Sequence, residues 1–406
     1  MKSFFTSDFF AGNRQRVMEL LEGGVLVASA YSAMQRSNDA AFTFEQEANF
    51  WYLTGIERAD WWLMIDASRG KSWLVSPDVD PIHALFDGQL TPEQAQAISG
   101  VDEVISRAAA ADLLAQTARQ HRLVYTIEQP ERADTFGFVL NPALRDMRDR
   151  LRRTFTDVQD FRSKLATLRA IKQPLEIKAI ESAIAMTVRT LEEVRAHFTD
   201  YKYEYEIEAD ISRGFRASGA AGHAYDPIVA AGGNACTLHY IENNARLAKR
   251  SLVLLDVGAQ VEHYAADITR TYVYGEPTKR QLAVHAAVQA AHNDIIELLA
   301  VPDLGVQAYS ERVDIRMKQA LVELGLLTNN DDDMYRQYFP HAISHGLGLD
   351  VHDSLGGPKT LQSGMVLTVE PGIYIPEENI GVRIEDDILI TKDGARNLSS
   401  KLSTSL

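Results

Sequence analysis

An apolar run, Ser251-Leu-Val-Leu-Leu-Asp256-Val-Gly258, ends on an acid, and the segment Tyr264 to Val273 that follows alternates at period two around a second acid, Asp267. Both segments predict strands. The connection Ala259 to His263 is short, so they form an antiparallel hairpin, and a turn centred between Val261 and Glu262 sets Asp256 directly opposite Asp267. The pattern recurs downstream. Met365 to Gly372 predicts a strand that ends near Glu370, Ile380 to Ile390 predicts its return, and a turn around Pro376 to Asn379 makes Glu370 face Glu385. Like charges opposed on a ladder are destabilising, so a chain that does this twice calls for something cationic between its strands.

The echo between Leu252-Val-Leu-Leu-Asp256-Val-Gly258 and Met365-Val-Leu-Thr-Val-Glu370-Pro-Gly372 marks the hairpins as halves of one duplicated unit whose acidic faces converge. Four carboxylates offset the charge of two divalent ions. The imidazole of His345 completes a mostly oxygen shell, which suits manganese, with cobalt and zinc as alternatives.

The rest of the chain frames this site. Its 406 residues, 46% of them hydrophobic, exceed one ordinary domain, and two are expected. The first half alternates strands (Val25 to Ala28, Trp61 to Ile65) with helices (Thr91 to Ile98, Ala108 to Gln120), which predicts an α/β domain over residues 1–158. Residues 159–406 form the second domain, opening on a helical pattern that Pro174 interrupts at the first turn of a new helix. Further helices are expected from about Thr278 to Leu299 and Tyr309 to Leu324. A net charge of −15 argues against nucleic acid or an anionic membrane as partner. One cysteine, Cys236, leaves no internal disulfide and fits a reducing, cytoplasmic setting. No apolar run approaches the ~20 residues that span a bilayer. His-Glu-x-x-His and Gly-x-Ser-x-Gly are absent, and Gly70-Lys71-Ser72 has Ile65 where a phosphate loop needs glycine.

The strings Leu254-Leu-Asp256-Val-Gly-Ala, Ala266-Asp267-Ile-Thr-Arg270, Ser344-His345-Gly-Leu-Gly-Leu-Asp350-Val-His352-Asp353, Thr368-Val-Glu370-Pro-Gly-Ile-Tyr374 and Arg383-Ile-Glu385-Asp386 resemble the signatures of the pita-bread metallopeptidases, within them the aminopeptidase P and prolidase branch. The resemblance runs from about Phe161 to the C-terminus. Upstream, Gln35-Arg36-Ser-Asn38-Asp39 and Phe44 to Gly55 resemble the N-terminal domain shared by aminopeptidase P, prolidase and creatinase. Glu45 departs from that pattern, standing where the family often has arginine.

The resemblance implies a creatinase/aminopeptidase P-like α/β domain followed by a pita-bread catalytic domain, an α/β (α+β) architecture. It implies Asp256 on one metal, His345 and Glu370 on the other, and Asp267 with Glu385 bridging both. His239 would orient substrate and His352 would hydrogen-bond the developing oxyanion, while Glu370 doubles as proton shuttle. His341, Tyr225 and Arg383 would support the site or position substrate. Taken one at a time, each histidine is more often a structural residue, Tyr225 could simply pack, and Arg383 could pair with Asp387. The implied reaction is attack by a metal-bridged hydroxide on the carbonyl before proline, in peptides with proline second. Prolidase is the alternative, a non-catalytic peptide-binding module a further one, and a homodimer or homotetramer the implied assembly.

Overall fold

The computed structural model describes residues 3–130, 136–301, 303–328 and 332–406. Two compact units divide between Leu168 and Arg169. The expected division at 158/159 would cut the strand Asp157–Asp160, which pairs in parallel with Leu123–Thr126 and so belongs to the first unit.

That unit is built on a six-stranded sheet in the order Glu103–Ile105, Lys71–Val75, Trp62–Asp66, Val25–Ser29, Leu123–Thr126, Asp157–Asp160. Every residue of Val25–Ser29 is buried, as expected of a central strand covered on both faces. On one face, Val25, Val27, Met64, Trp73 and Val124 pack against Ala110 and Leu114 of the helix Arg107–Gln120 and Met147 and Leu151 of the helix Ala143–Leu151.

The second unit opens on the helix Pro174–Ala196, with Pro174 in its first turn, where its missing N–H costs nothing. The helix Lys279–Leu299 starts at Thr278, whose hydroxyl accepts from the Gln281 N–H. Val284, Val288, Ala291 and Ile295 from this helix, with Val313, Met317 and Leu321 of Val306–Glu323, form one core with Leu367, Val369, Ile373 and Ile388 of the second hairpin. Each of these valines, leucines, isoleucines and Met317 contributes roughly 1.5–3 kcal/mol on burial. Helices therefore back the strands that carry the acids. Among the described residues no helix is long and apolar enough to cross a membrane.

The second hairpin has the expected register. Val369 pairs with Asp386 and Gly372 with Arg383, so Glu370 stands opposite Glu385 at a break between two short ladders. The first hairpin is shifted. Its turn is Glu262–His263, both with positive φ, so Val261 pairs with Tyr264 and Asp256 with Thr269, not with Asp267. Such turns favour Asn-Gly, and this chain has no such pair to mark the position. The acid-bearing segments are also not continuous strands: the ladder lapses at Gly258 and at Ala266–Asp267. A Cβ on Gly258 would lie 1.7 Å from the Ala266 carbonyl oxygen, so the two backbones approach closer than any side chain allows.

Candidate active site

The two hairpins meet edge to edge. The Glu385 N–H donates to the Thr269 carbonyl at 3.0 Å, and the Asp267 N–H donates to the Asp387 carboxylate at 3.2 Å. Although Asp256 and Asp267 are not opposed, Asp267 lies two residues from Thr269 and keeps the same face. All four acids therefore line one cavity of about 370 Å³, together with His239, His341, His345, His352, Tyr225 and Arg383. Asp267, His345 and Glu385 each aim a ligand atom into a space where these atoms lie within 4.8 Å of one another. The His345 Nε2 is 3.4 Å from Asp267 Oδ2 and 3.6 Å from Glu370 Oε1.

The electrostatics ask for a cation. Burial, followed by the charges of Asp267, Glu370 and Asp256, pushes the Glu385 pKa well above the usual carboxylate range. Burial likewise raises Asp256, against the pull of Arg383, and carries Glu370 up to about 7. Burial pulls His345 down, but its hydrogen bond to Asp267 and the charges of Asp267 and Glu370 prevail and hold it at about 9. Among the described residues Arg383 is the one guanidinium lining the cavity, and it is committed to Asp256. One fixed charge cannot match four carboxylates. The donor set, rich in oxygen with a single imidazole, fits divalent ions.

The supporting side chains form a connected frame. The Tyr225 hydroxyl lies 2.6 Å from both Asp256 Oδ1 and Asp267 Oδ1, and so does more than pack. Arg383 does not pair with Asp387. It donates to Asp256, to the Tyr374 hydroxyl at 2.8 Å and to Thr269 Oγ1 at 3.1 Å. The Tyr374 hydroxyl donates to His341 Nε2 at 2.8 Å, and His341 Nδ1 donates to the Ala342 carbonyl at 2.8 Å. Burial, then the Arg383 charge, lowers His341 to about 4, which keeps it neutral and suited to accept from Tyr374. His352 stands edge-on to His345 with ring centroids 4.4 Å apart. Burial, then the neighbouring His345, lowers its pKa below the ordinary value.

Three contributors escaped the sequence reading. Thr269 Oγ1 donates to Glu385 Oε2 at 2.7 Å, Tyr374 links Arg383 to His341, and Asp387 receives the Asp267 N–H. Thr269 and Asp387 each lie two residues from a proposed ligand, so period-two spacing was the available signal. Tyr374 stood in a signature string with no role attached, because His341, the partner it links to Arg383, lies outside its hairpin.

A buried, acid-rich cavity held between two hairpins and backed by helices defines a metal-dependent hydrolase of the pita-bread type. The chain belongs to metallopeptidase family M24, whose model matches residues 178–392, and the aminopeptidase P N-terminal domain matches residues 10–125. It is 34% identical to the Xaa-Pro aminopeptidase of Haemophilus influenzae over 96% of this chain and 94% of that one. It is 33% identical to human Xaa-Pro aminopeptidase 3 over 90% of this chain and 76% of that one. Aminopeptidase P from Escherichia coli with the inhibitor Pro-Leu superposes with a TM-score of 0.86 at 28% identity, covering 99% of this chain and 97% of the other. Its architecture is therefore an aminopeptidase P-type N-terminal domain followed by a pita-bread catalytic domain.

Proposed function

We propose that this chain is a Xaa-Pro aminopeptidase that releases the N-terminal residue from peptides with proline second, using two divalent ions held by Asp256, Asp267, His345, Glu370 and Glu385. The convergence of Asp267, His345 and Glu385 in one cavity carries the reading. Similarity along nearly the whole length of the Haemophilus influenzae enzyme supports the substrate class. Manganese is the proposed ion, and a cytoplasmic homodimer or homotetramer the proposed setting.

Bound there, the ions supply a readily ionised water and stabilise negative charge on the scissile carbonyl oxygen. The chain's own groups do the rest. Glu370 takes a proton and returns it to the departing nitrogen. His352, neutral at pH 7, offers a ring N–H to the carbonyl oxygen as its charge develops. His239 at the cavity rim orients the peptide, and Ile228, Leu238, Ile241 and Val351 give its side chains an apolar wall. The Arg383–Tyr374–His341 chain fixes Asp256 from behind. Because proline lacks an N–H and fixes its own φ, such bonds escape proteases that grip an extended backbone.

An Xaa-Pro-Yaa tripeptide is expected to show higher kcat/KM than the matching Xaa-Pro dipeptide in manganese-supplemented buffer. Steady-state kinetics on the pair decide this. Dipeptide preference, with the tripeptide barely cleaved, would make the enzyme a prolidase while keeping the same metal site.

Metal binding should also depend on pH with a fixed sign. In the metal-free site His345 is protonated below about 9 and Glu370 below about 7, and a ligand has to lose its proton to coordinate. Manganese binding at pH 7 is therefore expected to release protons, and the apparent affinity to rise with pH toward about 9. Calorimetry in buffers of different ionisation enthalpy reads this directly. Heats that are independent of buffer would contradict it.

A further inference from the structure

The segment that carries His239 has little structure of its own. From Thr237 to Ala245 the backbone forms neither helix nor strand, and His239 is exposed at the cavity rim with no side-chain hydrogen bond among the described residues. Its position has to come from whatever grips the loop. One side chain grips its middle, its far end and the segment that leads into it. Glu204, the first residue of the helix Glu204–Ala217 and wholly buried, accepts through Oε1 from the Ala231 N–H at 2.7 Å and the Asn234 amide at 3.1 Å. Through Oε2 it accepts from the Tyr240 hydroxyl at 2.9 Å and the Ala245 N–H at 2.8 Å. Its own N–H donates to the Ala245 carbonyl at 3.0 Å.

All four side-chain partners lie between residues 231 and 245, and one of them adjoins His239. We infer that Glu204 is a positioning residue for His239, a buried carboxylate that sets where the loop histidine meets the peptide without touching substrate or metal ligand. Only a carboxylate suits the place, because all four partners donate. Glutamine would turn an NH₂ toward one pair of donors. In either orientation that pair includes a backbone N–H, from Ala231 or Ala245, which cannot reverse its role. Asn243 secures the same loop from a second side, accepting from the Val229 N–H at 2.9 Å and donating to the Pro227 carbonyl at 2.8 Å. The strand Ile228–Ala231 runs into the loop from the sheet that carries Asp256, so the anchor also ties His239 to the metal-bearing strand.

The inference rests on the proposed role of His239, and a double-mutant cycle separates the two. The probe is an Xaa-Pro-Yaa tripeptide with manganese. Glu204→Gln is expected to lower kcat/KM on the order of tenfold, the low end of what removing the support of a functional residue costs. Manganese affinity measured by calorimetry should stay within about twofold, because the anchor touches no ligand. In a His239→Ala background the same change should cost nothing further, since the residue it positions is gone. Tyr240→Phe, which keeps both backbone hydrogen bonds and removes one donor, should show a smaller loss that also vanishes in that background. It carries the cycle if Glu204→Gln fails to fold. An equal loss with and without His239, or a loss that follows metal affinity, overturns the inference and leaves His239 its role. Wild-type kcat/KM in His239→Ala removes that role, and the inference with it.

Discussion

Replacing Glu385 or Asp267 with alanine is expected to lower turnover by about 10³-fold or more, some 4 kcal/mol of transition-state stabilisation, while the chain stays folded. Both would hold the ions, and both sit where the two hairpins meet: Glu385 accepts from Thr269 Oγ1, and Asp267 faces the His345 Nε2. Removing either leaves the remaining donors too few to hold two ions, so bound manganese should fall in step with turnover. Folding should survive, because in the metal-free protein these acids repel one another and burial has already driven Glu385 toward its neutral form. Metal analysis, circular dichroism and kinetics on the purified variants check the three parts together. A variant that keeps full activity with depleted metal would contradict the shared-ligand assignment.

His352→Ala is expected to lower kcat by on the order of 10²–10³ and to change KM little, the pattern of an interaction made only in the transition state. The imidazole packs edge-on against His345, and burial, with that neighbour, keeps it neutral and able to donate. A donor that merely held substrate in the ground state would raise KM and spare kcat. Full progress curves on an Xaa-Pro-Yaa peptide distinguish the two. Manganese content should be unchanged, which separates this variant from the loss of Glu385.

What could be read in the chain follows from how far apart the interacting residues lie. The second hairpin was legible down to its register because Pro376 to Asn379 marks the turn, and Glu370 does face Glu385. The first was legible as a hairpin but misread by one turn position, since Glu262–His263 adopt positive φ without the glycine that advertises it. Period-two alternation still kept Asp256 and Asp267 on one face, so the acid cluster outlasted the error. Breaks in the strands at Asp267, Glu370 and Glu385 were invisible, because they arise where the backbone leaves one short sheet for another.

Contacts across long sequence distances gave no signal at all. Arg270 spends all five of its donors on the Thr269 and Glu385 carbonyls, the Asp386 carboxylate and the Leu402 and Ser403 carbonyls, and nothing in its neighbourhood foretells the last pair. Glu204 is a similar case, since its partners at Ala231 and Ala245 lie far along the chain and nothing beside it in sequence points to them.

The most direct test is a manganese titration of the metal-stripped protein with hydrolysis of an Xaa-Pro-Yaa tripeptide and its Xaa-Ala-Yaa counterpart followed at each addition. The account predicts no cleavage without metal, activity that rises until about two equivalents are bound, the ratio set by four carboxylates and one imidazole, and selectivity for the proline peptide throughout. Undiminished cleavage by the stripped protein, or equal cleavage of the alanine peptide, would contradict it.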